Sequence, residues 1–269
     1  QVLAQLAPFT DLIPKMPRIA ERSTGQVMGE AAEEMARRNE ISRADQDAFT
    51  VTSHHRAAAA IASGRFDDEV APVSTRSGQV FADTLVRADT SVERLAKLRP
   101  VFAKDGTLTA GNSSPLTDGA SAVLLMSEEK ARALGYTPKA AFRSWAYRAV
   151  DPADQLLMGP ALAMPAALDS AGLTLSDIDL IDMHEAFAAQ VLSVIRMLES
   201  NAFAQARLNR SQAVGLIDRS KLNVHGGSVA LGHPFGATGA RMVTTMANEL
   251  VLSDKNTALL GICAAGGLG

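Results

Sequence analysis

Cysteine is scarce in this chain: Cys263 is the only one among 269 residues. A single thiol excludes an internal disulfide, which fits a reducing compartment such as the cytoplasm. It also leaves too few Cys and His at ligand spacing for a zinc site. No apolar stretch approaches the ~18 residues of a membrane span. An excess of one charge is missing too: the net charge is −3, so no basic face argues for nucleic acid or an anionic membrane. The opening "QVLAQLAPFTDLIP" has neither the basic segment nor the cleavage pattern of a signal peptide. An initiator methionine is absent and the chain stops at Gly269 straight after an apolar run, so both ends read as cut.

What is present is ordinary globular material, 47% apolar and 20% charged, with length for about two domains. Residues 1–24 carry Pro8, Pro14 and Pro17 and read as irregular. "GQVMGEAAEEMARRN" (25–39) has a helical period with Val27, Met28, Ala31 and Met35 on one face. A second helix is expected over 42–64, capped by Ser42 and stopped by Gly64. Its adjacent His54 and His55 do not share a helix face and have no third ligand nearby, so they read as surface or packing residues. A short strand over 68–73 and a short capped helix over 90–98 follow.

From Gly119 strand and helix patterns alternate. "GASAVLLMS" reads as a buried strand, "SEEKARALG" as a helix between Ser127 and Gly135, and "AAFRSWAYRAV" (140–150) as a second strand. A helix over 160–172, a strand over 177–183, helices over 185–198 and 236–250, and a last strand over 257–263 complete the run. That alternation predicts an α/β layer of helices packed on a sheet, with a boundary near residue 118.

Three stretches place a reactive side chain where a strand or tight loop gives way to a turn. His184 in "DMHEAFAAQ" follows a strand and opens a helix, His233 lies between Gly232 and Pro234, and Cys263 ends the last strand. Open α/β sheets build their sites at the carboxyl ends of strands, so the three are expected to meet in one crevice. His184 also has a plainer reading as a helix-opening imidazole bonded to its own turn, and Cys263 as a buried apolar filler, whereas His233, held extended before Pro234 in a glycine-rich loop, calls for a reason. The glycine-rich loop around His233 contains neither G-x-x-x-x-G-K-[ST] nor G-x-G-x-x-G, and G-x-S-x-G is missing as well. A thiol with two imidazoles remains, the ingredients of acid–base or nucleophilic thiol chemistry.

"NVHGGSVALGHPFGATGAR" strongly resembles the thiolase pattern N-x-x-G-G-x-x-A-x-G-H-P-x-G-x-[ST]-G-x-R. "CAAGGLG" resembles that family's C-x-G-G-G-x-G. "HEAFAAQ" resembles its N-E-A-F-A element in the His-bearing form of the thiolase subunit of trifunctional β-oxidation complexes. The likeness continues through "MGEAAEEMARRNEISRADQDAFTVTSHHRAAAA" and "VRADTSVERLAKLRPVFAKDGTLTAGNSSPLTDGASAVLLMS" and covers nearly the whole chain. It implies a layered α/β fold, with residues 1–118 as part of a mostly helical loop domain. Residues 119–269 would be the C-terminal βαβαβ half, less its final strand.

The resemblance also implies roles. His233 would be the base for a nucleophilic cysteine, and Cys263 the second thiol, exchanging protons with Cα of the acetyl unit and with incoming coenzyme A. His184 would replace the usual Asn–water pair and, with His233, donate to the enolate oxygen. The N–H of Ala265, where the family has glycine, would help hold the acyl-enzyme oxyanion. Ala110, Ser113 and Ser114 match positions lining the pantetheine arm, and Phe187 an acyl-site wall. Coenzyme A and acyl-CoA would be substrates, with no permanently bound cofactor or metal. A homodimer or tetramer and a β-oxidation multienzyme partner would complete the assembly.

One departure stands out: the family's acylated cysteine lies in an N-terminal half, and no cysteine precedes residue 263 here. The chain therefore reads as a thiolase portion without its nucleophile half, and a bare apolar face is expected beside His233 and Cys263. The rivals are a β-ketoacyl synthase, which wants a histidine where Cys263 stands, and a non-catalytic acyl-CoA-binding or assembly subunit.

Overall fold

The computed structural model describes residues 20–269; the expectation of irregular chain before residue 20 falls outside that range. Helix α1 (Met28–Arg38) turns Ala31, Ala32, Met35 and Ala36 inward, as its apolar period requires. Helix α2 (Arg43–Ala62) starts where Ser42 Oγ accepts the Asp45 N–H, 3.1 Å, and ends before Gly64 in the left-handed region. Its buried face is largely polar, with Gln46, Asp47, Thr50, Ser53 and His54. Those groups hold loops: Asn112 donates to Asp47, and His54 Nδ1 accepts the Arg87 N–H at 3.1 Å. Burial accordingly pushes the His54 pKa down to about 4. His55 donates to the Thr90 carbonyl, so the histidine pair fastens the 87–90 segment.

The strand expected over 68–73 forms later, as β1 (Val73–Thr75) paired antiparallel with β2 (Gly78–Val80). Ser91 caps the four-residue α3 (Val92–Leu95), and Ser127 caps α4 (Glu128–Ala133). The two long strands expected over 119–127 and 140–150 are a correction. Neither forms a ladder among the described residues, and the side chains stand in solvent: Leu124 is 71% exposed, Trp145 69% and Tyr147 82%. The local sequences favour strands, but a strand also needs a neighbour for its N–H and C=O groups. Only the end of the second finds one, where Arg148 and Val150 pair antiparallel with Gly269 and Gly267.

The site-bearing layer is better ordered. Helix α5 (Gly159–Ala171) carries Pro160 in its first turn and stops at left-handed Gly172. Strand β3 (Leu180–Met183) leads to α6 (Ala188–Leu198), α7 (Asn201–Arg207), α8 (Ser228–Leu231), α9 (Ala237–Leu252) and β4 (Ala258–Gly261). Strands β3 and β4 are parallel, with Met183 opposite Gly261. The core lies between this pair and the helices, filled by Met158, Met164, Met183, Ile195, Leu198 and Met242. Met164 sits so close to Gly261 that a Cβ there would fall 2.4 Å from its sulfur.

Candidate active site

Parallel pairing brings the residues that follow the two strands side by side. His184 comes directly after β3 and donates its backbone N–H to the Gly261 carbonyl at 2.8 Å, while Cys263 follows β4 by two positions. His184 Nδ1 lies 3.1 Å from the Cys263 carbonyl oxygen and 3.4 Å from its Sγ. The other ring nitrogen, Nε2, is 3.1 Å from Nδ1 of His233, and the rings are 4.2 Å apart. His184, His233 and Cys263 thus meet in one cluster, as expected.

Burial sets the protonation of each member. It pushes the His184 pKa down to about 3, with the neighbouring His233 adding to the effect, so this imidazole is neutral at ordinary pH. His233 is half-buried and lowered by that burial and by the Arg241 guanidinium. The Cys263 thiol is pushed up to about 12 by burial and is protonated at rest. His233 has an aromatic and a polar neighbour: the Phe235 ring meets it edge-on at 5.4 Å, and Thr238 Oγ1 lies 2.8 Å from Nδ1.

A buried carboxylate fixes the loop that carries His233. Glu185 is fully buried and accepts from Ser53 Oγ, from Asn223 Nδ2 (both 2.7 Å) and from the Val229 N–H at 3.2 Å. Asn223 reaches the other way as well: its Oδ1 accepts the Met183 N–H at 2.7 Å and its Nδ2 donates to the Met183 carbonyl at 2.9 Å. Gly226 and Gly227 are glycines for a steric reason. A Cβ on Gly227 would lie 2.4 Å from the Glu185 carboxyl carbon, and one on Gly226, where φ is +71°, 2.3 Å from the Ser53 carbonyl.

Of the remaining sequence-derived positions, Ser113, Ser114 and Phe187 lie against one another beside the segment after His184. Ser113 bridges to Phe187, Ser114 donates its N–H to Ala186 (3.0 Å), and Ala188 donates to Asn112 (3.0 Å). The 110–114 loop is therefore clamped to the segment after His184. Ser113 directs its hydroxyl inward to the Thr109 carbonyl, whereas Ala110 is exposed. Phe187 is a buried wall, edge-on to Phe102. Ala265 is exposed with φ outside the left-handed region, and no acceptor among the described residues takes its N–H. The sequence reading assigned nothing to Thr238, Glu185, Asn223 or Arg241, although Thr238, Asn223 and Arg241 stood within the quoted glycine-rich pattern.

Two exposed apolar side chains adjoin His233: Leu116, bridged to it, and Phe235, edge-on to its ring; Leu124, Leu125, Trp145, Tyr147 and Leu268 are exposed as well. No group of three metal-ligating side chains occurs among the described residues.

Fold and site define an α/β protein in which His184 and Cys263 follow two parallel strands and His233 reaches them from a glycine-rich loop. Models of the thiolase N-terminal and C-terminal domains match residues 8–129 and 136–269, and the chain belongs to the thiolase family. It is 52% identical over 262 residues to 3-ketoacyl-CoA thiolases of Yersinia enterocolitica and Yersinia pestis, covering 96% of this chain and 60% of each relative. Among solved structures, the Bacillus anthracis acetyl-CoA acetyltransferase superposes with a TM-score of 0.82 at 38% identity, over 93% of this chain and 60% of that one. Human mitochondrial 3-ketoacyl-CoA thiolase gives 0.81 at 35% identity with the same coverage. Its complex with CoA gives 0.79 at 34% identity, over 93% of this chain and 59% of the other. The chain spans about 60% of the length of the relatives it matches.

Proposed function

We propose that the chain supplies the acid–base half of a 3-ketoacyl-CoA thiolase site, cleaving 3-ketoacyl-CoA with coenzyme A to acetyl-CoA and a shortened acyl-CoA, or running the reverse condensation. The observation that carries this reading is the convergence of Cys263, His184 and His233 within 3.4 Å links. In that reaction Cys263, a thiol at rest, gives its proton to Cα of the departing acetyl unit and later takes one from coenzyme A. His233, held neutral, draws the proton from the thiol that becomes acylated. Donors aimed at the developing oxyanions, the Ala265 N–H among them, stabilise charge as it forms.

Cys263 is this sequence's only cysteine, so the acylated thiol of such a reaction has to be presented by polypeptide outside these 269 residues. The exposed apolar side chains beside His233 mark where that polypeptide would dock. In this reading the loop domain would run through residue 118 and the site-bearing layer would begin at 119. The 110–114 loop, with the Phe187 wall, would receive the pantetheine arm. Homo-oligomerisation, a β-oxidation partner and a cytoplasmic setting belong to this proposal; no helix among the described residues is long and apolar enough to cross a membrane.

The intact protein should incorporate deuterium from heavy water into the acetyl methyl of acetyl-CoA. Cys263→Ala should abolish that exchange while acyl-enzyme formation continues, and His233→Ala should impair acylation itself, by about 10²-fold or more. Equal losses in both steps for both variants would refute the division of roles. The single cysteine gives some weight to a second reading, an acyl-CoA-binding subunit without turnover. Binding of acetyl-CoA with neither exchange nor cleavage would establish it.

A further inference from the structure

Two acidic side chains, one on each of the first two helices, hold a single loop, the segment 107–114. Glu33 on α1 accepts the Thr107 N–H at 2.7 Å and the Thr107 hydroxyl at 2.8 Å through Oε1, and the Leu108 N–H at 2.9 Å through Oε2. Asp47 on α2 is 1% exposed; its Oδ1 accepts from Asn112 Nδ2 at 3.1 Å and its Oδ2 from Arg43 Nε at 2.7 Å. The same Arg43 donates to the main-chain carbonyls of Leu95 (2.6 Å) and Leu98 (3.2 Å). Asp47 thereby ties α3, the turn after it and the 107–114 loop to one point. The tied parts touch: a Cβ on Gly111 would lie 2.6 Å from a methyl carbon of Leu95 and 2.6 Å from one of Leu98.

Inside the loop the polar side chains also turn inward. Asn112 Oδ1 accepts the Thr109 N–H at 2.8 Å, and Asn112 Nδ2 donates to the Thr107 carbonyl as well as to Asp47. Ser113 Oγ donates to the Thr109 carbonyl at 2.8 Å. Between residues 108 and 113 only Ala110 is exposed. The loop therefore shows a ligand one methyl group and main chain, with no charged side chain. Recognition of that kind depends on where the backbone lies, so it weakens when the backbone is free to move. A carboxylate suits each anchor because both of its oxygens accept. In Glu33 and in Asp47 each oxygen already has a donor, so an amide in either orientation would set N–H against N–H at one of them.

We propose that Glu33 and Asp47 are positioning residues which set the affinity for coenzyme A and acyl-CoA by holding the 107–114 loop, and which leave the chemical steps alone. This rests on the thiolase reading, in which that loop receives the pantetheine arm. Neither carboxylate bonds to His184, His233 or Cys263; their bonds end on the loop and on Arg43. The bonds that register the loop against the segment after His184, Ser114 N–H to Ala186 and Ala188 N–H to Asn112, are main-chain bonds that involve neither carboxylate. A clamp that serves ground state and transition state alike raises KM when it is broken and leaves kcat in place.

The experiment measures, in the intact protein, kcat, KM for coenzyme A and for 3-ketoacyl-CoA, and amide hydrogen exchange in the loop. Glu33→Gln and Asp47→Asn should each raise both KM values about tenfold, change kcat less than about twofold, and speed exchange of the Leu108 and Thr109 amides. Thr107→Val is the milder change should a carboxylate variant fold poorly. It removes one hydroxyl that donates to Glu33 and accepts from Gln46 at 2.9 Å, and should raise KM about threefold. A fall in kcat with KM unmoved would overturn the inference, as would faster loop exchange with KM unmoved. In both cases the unaltered protein still binds coenzyme A and turns over, so the thiolase reading survives. An unaltered protein that neither binds coenzyme A nor cleaves 3-ketoacyl-CoA would overturn that reading, and the assigned role of the two carboxylates with it.

Discussion

Two buried groups at the site carry opposite instructions about charge. Cys263 is kept protonated by its burial, which pushes its pKa up to about 12. Alkylation by iodoacetamide should therefore be slow at pH 7, at least about a hundredfold slower than in the unfolded protein, and should keep rising above pH 10. A midpoint near the free-thiol value of ~8.5 would contradict the burial. Glu185 is the other case: burial raises its pKa, while Asn223, Ser53 and the Val229 N–H oppose that rise by donating to it. Removing the carboxylate strands three donors in the interior. Glu185→Ala should cost about 3–5 kcal/mol in urea denaturation. Glu185→Gln, which keeps an acceptor oxygen, should cost less than half as much, and equal losses would show that the carboxylate is not the node.

At the scale of elements, the segment from Asn223 to His233 works as one rigid strap across the end of β3. Gly227 lets it pass the Glu185 carboxylate at contact distance. Gly227→Ala should push that carboxylate away from its donors and cost about 1–3 kcal/mol. The catalytic loss should exceed the stability loss, because His233 sits at the far end of the strap; thermal melts beside an exchange assay would separate them. Much of this was legible in the sequence. Capping by Ser42, Ser91 and Ser127, the stops at Gly64, Gly135 and Gly172, and the three reactive residues all follow from local chemistry. Helix α6 begins at Ala188 rather than at 185 because Glu185 turns inward to its donors instead of joining the helix. What could not be read depends on partners far away in the sequence. Glu185 stands at the start of the helix expected over 185–198, and its partners Ser53 and Asn223 lie far away in sequence. The 119–127 and 140–147 segments have strand composition, but local preference cannot supply a neighbouring strand.

For the whole molecule, acid stability follows from groups whose ionisation the fold changes. His54 and His184, lowered to about 4 and about 3, bind protons more readily unfolded. Their stabilising contribution is present above pH 6.5 and is lost as pH falls. Asp182, buried on β3 and pushed up to about 6, works the other way, with a contribution present below about pH 4 and lost as pH rises through 6. At pH 5 the unfolded chain gains about two protons on the histidines and the folded chain about one on Asp182. These three groups together should make stability fall by about 1.4 kcal/mol per pH unit on acidification, with His233 steepening and Glu185 flattening the dependence. Asp182→Asn should roughly double that slope, and denaturant titrations between pH 4.5 and 5.5 would measure it; an unchanged slope would mean that Asp182 does not bind its proton in the fold.

The two-way grip of Asn223 on Met183 has a consequence for how molecules of this protein treat one another. A carboxamide that accepts from a backbone N–H and donates to the C=O of the same residue imitates a peptide unit of an adjoining strand. With the backbone of 221–223 bonded to Ile181 just before it, the outer flank of β3 is closed to strand addition by a foreign chain. The carboxamide is thus a guard against templated stacking at this edge. Any tendency to aggregate should concentrate in the uncovered "AVLLM" stretch instead, where no such guard stands.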